Sequence, residues 1–152
     1  RMQTENHVIA NHGYSHRFRR MYNSLDDFKK EIDITHDVIY NLTGNYPNLF
    51  RFPGGSTMVS RRKFDSFVQV LYERGYYYFD WNVSTGDGYP LSKNKIIKNL
   101  EKGIIGKEKA VILMHDSRKN TLIALPEIIR ILRENGYKIT TLSEHSHKAQ
   151  HR

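Results

Sequence analysis

The chain has 152 residues, of which 38% are hydrophobic and 26% charged, with a formal net charge of +8. That length supports one hydrophobic core, and no run nears the ~18 apolar residues of a membrane span. Cysteine is absent, which excludes disulfide staples and thiolate metal ligands.

Residues 1–6 read as the end of an amphipathic helix, so a preceding segment is expected, together with any targeting signal. An apolar run at 7–10 leads into His12-Gly13-Tyr14-Ser15-His16. Imidazole is the commonest metal ligand in proteins, so two histidines four apart point to half of a metal site. By itself the pair is read more readily as two surface histidines on a loop. Ser24 before Leu25, Asp26 and Asp27 marks a helix start, with a hydroxyl cap and acids in the first turn. Leu25, Phe28, Ile32, Ile39 and Leu42 recur at helical spacing, and Gly44 stops the helix. A second helix is predicted over 60–74, with Phe64, Phe67, Val68 and Leu71 on one face. A third spans 92–105 with Ile96, Ile97 and Leu100. A fourth spans 122–135, admitting Pro126 in its first turn, where the missing N–H costs little.

Five strand-length apolar or aromatic runs alternate with these helices, at 7–10, 49–52, 76–81, 110–114 and 137–142. Their alternation with helices predicts βα units and a parallel sheet. The first four runs each end in polar residues and glycines. Binding groups of parallel α/β folds gather at the carboxyl ends of strands, so the four clusters should face one site. The basic clusters at 17–20, 61–63 and 93–98 suit a polyanion, but no nucleic-acid module accompanies them. They read as solvated loop and helix faces.

In chain order, the motifs are H-x-x-x-H (His12, His16), R-x-P-x-G (Arg51, Pro53, Gly55), D-W (Asp80, Trp81) and L-x-H (Leu113, His115). This ordered set resembles the polysaccharide deacetylases with NodB homology, carbohydrate esterase family 4, from residue 7 to 143. The resemblance implies an α/β fold, a distorted (β/α) barrel, with 1–152 as a single NodB-homology domain. It implies a divalent metal, usually zinc, held by His12 and His16, and removal of acetyl groups from N-acetylated or sometimes O-acetylated sugars. It makes His115 the general acid, Asp80 the carboxylate that orients it, and Arg51 the tether of a catalytic base.

The chemistry is consistent with those assignments. Water is a poor nucleophile and an acetamide a poor electrophile, and a metal ion addresses both. An amine leaves only with a proton, so a donor is needed. The Pro53-Gly54 turn lets backbone approach a ligand, and the Gly54 N–H is a candidate oxyanion donor. Trp81, Leu113 and Pro53 suit an acetyl wall, with ordinary core packing the alternative for Trp81 and Leu113. Tyr14, Asp87 and Tyr89 are further candidates for a sugar groove.

The family's T-F-D-D element, which supplies the base and a third metal ligand (an Asp), precedes the histidine pair and is not in this sequence. The fold is therefore expected to be incomplete at its N-terminus. Such a segment should bind zinc weakly and deacetylate poorly by itself. Its open barrel edge should pair with the missing segment or with a second copy. A catalytically impaired carbohydrate-binding relative is the alternative reading, and a basic nucleic-acid binder a third. The Arg51–Ser56 wording resembles the bacterial cell-wall branch. That implies peptidoglycan or chitin-like N-acetylglucosamine polymers as substrate and an extracellular or wall-associated place. The tail 144–152, with His145, His147 and His151, should fray.

Overall fold

The computed structural model describes all residues 1–152. They form two compact units, each with its own apolar cluster, where the length led us to expect one core.

The first unit comprises Arg1–Asp80 and Thr141–Arg152. It carries α1 (Phe18–Met21), α2 (Leu25–Thr43), β1 (Leu49–Phe50), a 3-10 turn (Ser56–Met58), α3 (Arg61–Glu73) and β2 (Tyr77–Tyr78). Helix α2 begins where its cap chemistry puts it. The Ser24 hydroxyl accepts the Asp27 N–H at 3.1 Å, and Gly44 at φ 71° closes the far end. Strands β1 and β2 run parallel, with Leu49 opposite Tyr77, and Asn11 bridges Phe50 on the other side. Phe28, Phe50, Phe52 and Phe67 are fully buried at the centre. Burying side chains of this size contributes about 1.5–3 kcal/mol each.

The second unit is Trp81–Thr140. It carries β3 (Val83–Ser84), α4 (Lys93–Ile104), β4 (Ile112–Leu113) and α5 (Lys119–Glu134), with β3 parallel to β4. Ile96, Leu100, Ala124 and Ile128 fill the space between α4 and α5.

Three expectations need correction. The runs at 7–10 and 137–142 form no strand, and the others pair over two residues each, because an apolar run becomes a strand only where a neighbouring backbone takes its hydrogen bonds. Helix α5 starts at Lys119, which moves Pro126 from the first turn into the interior. The tail is held, not frayed. Ala149 is buried and its carbonyl accepts the Asp80 N–H at 2.6 Å, and Arg152 lies 5.9 Å over the Phe64 ring.

Candidate active site

Two groups of side chains carry the candidate chemistry, one in each unit. In the first, the loop from Asn11 to His16 is fixed at both its start and its middle. Asn11 is fully buried; its Nδ2 donates to the Ile32 carbonyl and to the Tyr76 hydroxyl, each at 3.0 Å, while its Oδ1 accepts the Gly13 N–H. Glu31, on the buried face of α2, holds the middle. Its Oε2 accepts the Tyr14 N–H at 2.9 Å and the Ser15 N–H at 2.6 Å, and its Oε1 accepts the Ser15 hydroxyl at 2.7 Å. Burial pushes the Glu31 carboxyl up, but those donors and nearby Arg20 outweigh it and hold it below the usual carboxylate range. The negative charge is thus spent on backbone amides.

That scaffold brings the two histidines together, with ring centroids 5.1 Å apart. His12 Nδ1 lies 2.6 Å from the Arg51 carbonyl. A carbonyl can only accept, so Nδ1 carries the proton and the ring's lone pair sits on Nε2, the tautomer a metal ligand needs. His16 adopts φ 55°, a left-handed conformation that costs a non-glycine residue roughly 1–3 kcal/mol and is tolerated where surroundings over-determine it. The pair fits a metal that takes imidazole. No group of three or more His, Cys, Asp or Glu side chains is placed to hold a metal ion.

Arg51 is half-buried; burial draws its pKa down and the Asp80 charge opposes that. The Tyr22 hydroxyl donates to the Pro53 carbonyl at 2.8 Å and pins the turn. Gly54 follows at φ 74°, exposed, and a Cβ there would lie 2.7 Å from Met58 Cγ. Only glycine suits that position.

Asp80 is buried but does other work than expected. Its Oδ1 accepts the Ser56 N–H and its Oδ2 the His151 N–H, both at 2.8 Å. It therefore ties the Gly55-Ser56 turn to the tail.

In the second unit, Trp81 and Leu113 are half-buried. The carboxylate on His115 is Asp87, which corrects the assignment to Asp80. Asp87 Oδ1 accepts from His115 Nδ1 at 2.9 Å, and Oδ2 accepts the His115 N–H and the Thr121 hydroxyl at 2.7 Å each. Asp87 is 1% exposed. Burial pushes its carboxyl up, yet the His115, Thr121 and Thr85 donors hold it below its usual range. By the same carbonyl-or-carboxylate logic, His115 Nδ1 is protonated and Nε2 is the ring's reactive nitrogen.

A sequence model described as polysaccharide deacetylase matches residues 1–78, just over half of the chain. This chain belongs to the polysaccharide deacetylase family. An uncharacterized 30.6 kDa protein of Geobacillus stearothermophilus is 30% identical over 148 residues, covering 95% of this chain and 52% of that protein. A peptidoglycan-N-acetylglucosamine deacetylase of Bacillus cereus is 28% identical, covering 97% of this chain and 54% of the relative. The chain thus spans about half the length of the curated relatives it matches. The catalytic domain of peptidoglycan N-acetylglucosamine deacetylase from Eubacterium rectale superimposes with a TM-score of 0.92 at 30% identity, covering 99% of this chain and 71% of that one. The α/β fold expected from the motifs is the fold of this deacetylase family.

Glu31 and the role of Asp87 escaped the sequence reading. Glu31 sits between Phe28 and Ile32 on the apolar stripe of α2, where an acid survives only if paired. Asp87 stands between Gly86 and Gly88, and that glycine-flanked position was the available sign of a carboxylate turned inward.

Proposed function

We propose that this chain belongs to a metal-dependent hydrolase that removes acetyl groups from N-acetylglucosamine-containing glycan, with peptidoglycan favoured by the names of its relatives. The observation that carries the reading is the His12–His16 pair with the His12 proton committed to the Arg51 carbonyl. His12 and His16 are the ligands for a divalent ion, zinc by its affinity for imidazole. When bound, the ion makes water nucleophilic near neutral pH and polarises the acetyl carbonyl.

The protein groups do the rest. The Gly54 N–H donates to the oxygen on which charge develops. Pro53 in the first unit, and Trp81 and Leu113 in the second, are the apolar groups we assign to the methyl. Arg51 steadies a catalytic carboxylate. In the second unit, His115, whose ring Asp87 holds in place, is the proton donor to the amine when the C–N bond breaks and acetate is released. Asp80 keeps the Gly54–Ser56 turn in position. An extracellular or wall-associated location is part of this reading, since that is where a wall polymer meets an enzyme.

Acetate release from N-acetylglucosamine oligomers tests this. We expect slow, zinc-stimulated release that stops on chelation and falls about 10²–10⁴-fold in His115→Ala. Release that persists in His115→Ala, or none from any acetylated glycan with zinc supplied, contradicts the proposal.

A further inference from the structure

His36 lies outside the histidine loop but stands at the end of a buried chain of hydrogen bonds that leads into it. It sits half-buried on α2, one helical turn beyond Ile32. Its Nδ1 lies 2.8 Å from the Tyr76 hydroxyl, and the two rings meet edge to face with centroids 6.1 Å apart. Tyr76 is 2% exposed, and its hydroxyl also accepts from Asn11 Nδ2 at 3.0 Å. Asn11 directly precedes His12, and its Oδ1 takes the Gly13 N–H at 3.0 Å.

The direction of each bond is forced. The Ile32 carbonyl can only accept, so the Asn11 atom facing it is the amide nitrogen. Both amide protons are then committed, one to Ile32 and one to Tyr76. Tyr76 accepts from Asn11 and keeps one proton to give, which goes to His36 Nδ1. The His36 ring therefore turns its lone pair inward and carries its proton on Nε2. Tyr46, stacked on His36 at 5.4 Å, and Phe50, edge-on to Tyr76 at 6.2 Å, limit where the two rings can go. The main chain of Asn11 is held by Leu49 and Arg51, but its side chain, and with it Gly13, is oriented by these bonds.

We propose that His36 is a positioning residue for the metal loop. By taking the Tyr76 hydroxyl proton it orients Asn11, and Asn11 sets Gly13 and the spacing of His12 and His16. The inference rests on the reading of His12 and His16 as zinc ligands.

The test is zinc titration of the 152-residue chain, followed by calorimetry, in variants along the chain of bonds. Affinity should fall about tenfold in His36→Leu and in Tyr76→Phe, the lower end of what partners behind metal ligands contribute. The double variant should lose no more than either single one, because both delete the same connection. His36→Asn, whose Oδ1 can accept in place of Nδ1, should recover most of the affinity. Val70→Ala opens a cavity in the same apolar cluster and should lower the melting temperature without lowering zinc affinity. In metal-free protein, the NMR signals of the Gly13 amide and the His12 ring nitrogens should move in His36→Leu and return in His36→Asn. Wild-type affinity in His36→Leu, additive losses in the double variant, or an equal loss in Val70→Ala overturns the proposal. Zinc binding that ignores His12→Ala, or none in wild type, sinks the ligand reading instead. The metal-free signals then decide His36, and Gly13 and His12 signals that stay in place in His36→Leu overturn its role.

Discussion

Asp87→Asn should lower acetate release by roughly 10³–10⁴-fold, the scale of loss when the carboxylate orienting a catalytic imidazole is neutralised. His115 holds its proton on Nδ1 because Asp87 accepts it at 2.9 Å. An Asn side chain can present its NH₂ there, which drives the proton to Nε2 and inverts the ring's roles. The His115 N–H and the Thr121 hydroxyl, which share Asp87 Oδ2, would then meet a neutral amide oxygen in place of a charged one. A stability loss of about 1–2 kcal/mol follows, because hydrogen bonds to a charged acceptor contribute more than those to a neutral one.

The pH dependence has a definite sign. A carboxyl held below its ordinary pKa stabilises the fold above the unfolded value, about 3.9, and loses that contribution as pH falls through the folded value. Wild-type protein should therefore lose stability below about pH 4, and Asp87→Asn should show a flatter acid profile. Ring nitrogen shifts from NMR report the tautomer directly. An unchanged His115 tautomer in the variant would remove Asp87 from the role.

Glu31→Ala should be the most damaging change in the first unit. It strips acceptors from the Tyr14 and Ser15 amides and the Ser15 hydroxyl, at about 3–5 kcal/mol. The loop that sets the His12–His16 spacing then loses its anchor, and zinc affinity should fall by about 10–100-fold, as when partners behind metal ligands are removed. Glu31→Gln separates positioning from bulk stability. Its amide oxygen can still serve the two N–H donors, and the Ser15 hydroxyl can turn to accept from the new NH₂. The conservative variant should recover most of the zinc affinity even where its melting temperature stays low. A Glu31→Ala protein that binds zinc like wild type would show the loop to be self-supporting.

The helices were legible because periodicity and capping are local. Ser24 and Gly44 bound α2 as the sequence suggested, and Ser92 caps α4. Helix α1, at four residues, is too short to show a period. The strands were overcalled in length, since an apolar run such as 76–81 says what is buried and not which backbone it meets.

The candidate site divides in the same way. His12, His16 and His115 were readable as residue types at motif spacing. The partner of His115 was not, because a carboxylate's target depends on the turn at Gly86, φ 74°, which carries Asp87 inward. The tail looked solvated from its histidines and lysine, yet backbone groups hold it. The His151 N–H donates to Asp80, and the Tyr78 hydroxyl donates to the Arg152 carbonyl. Composition is blind to such bonds.

The most direct measurement is zinc titration of wild type against His12→Ala and His16→Ala, followed by calorimetry with His145 and His147 replaced throughout to silence the tail. We predict one zinc per chain, with affinity falling at least about 100-fold in either variant, the upper end of what losing even an outer partner costs. Equal affinity in wild type and both variants would contradict the account.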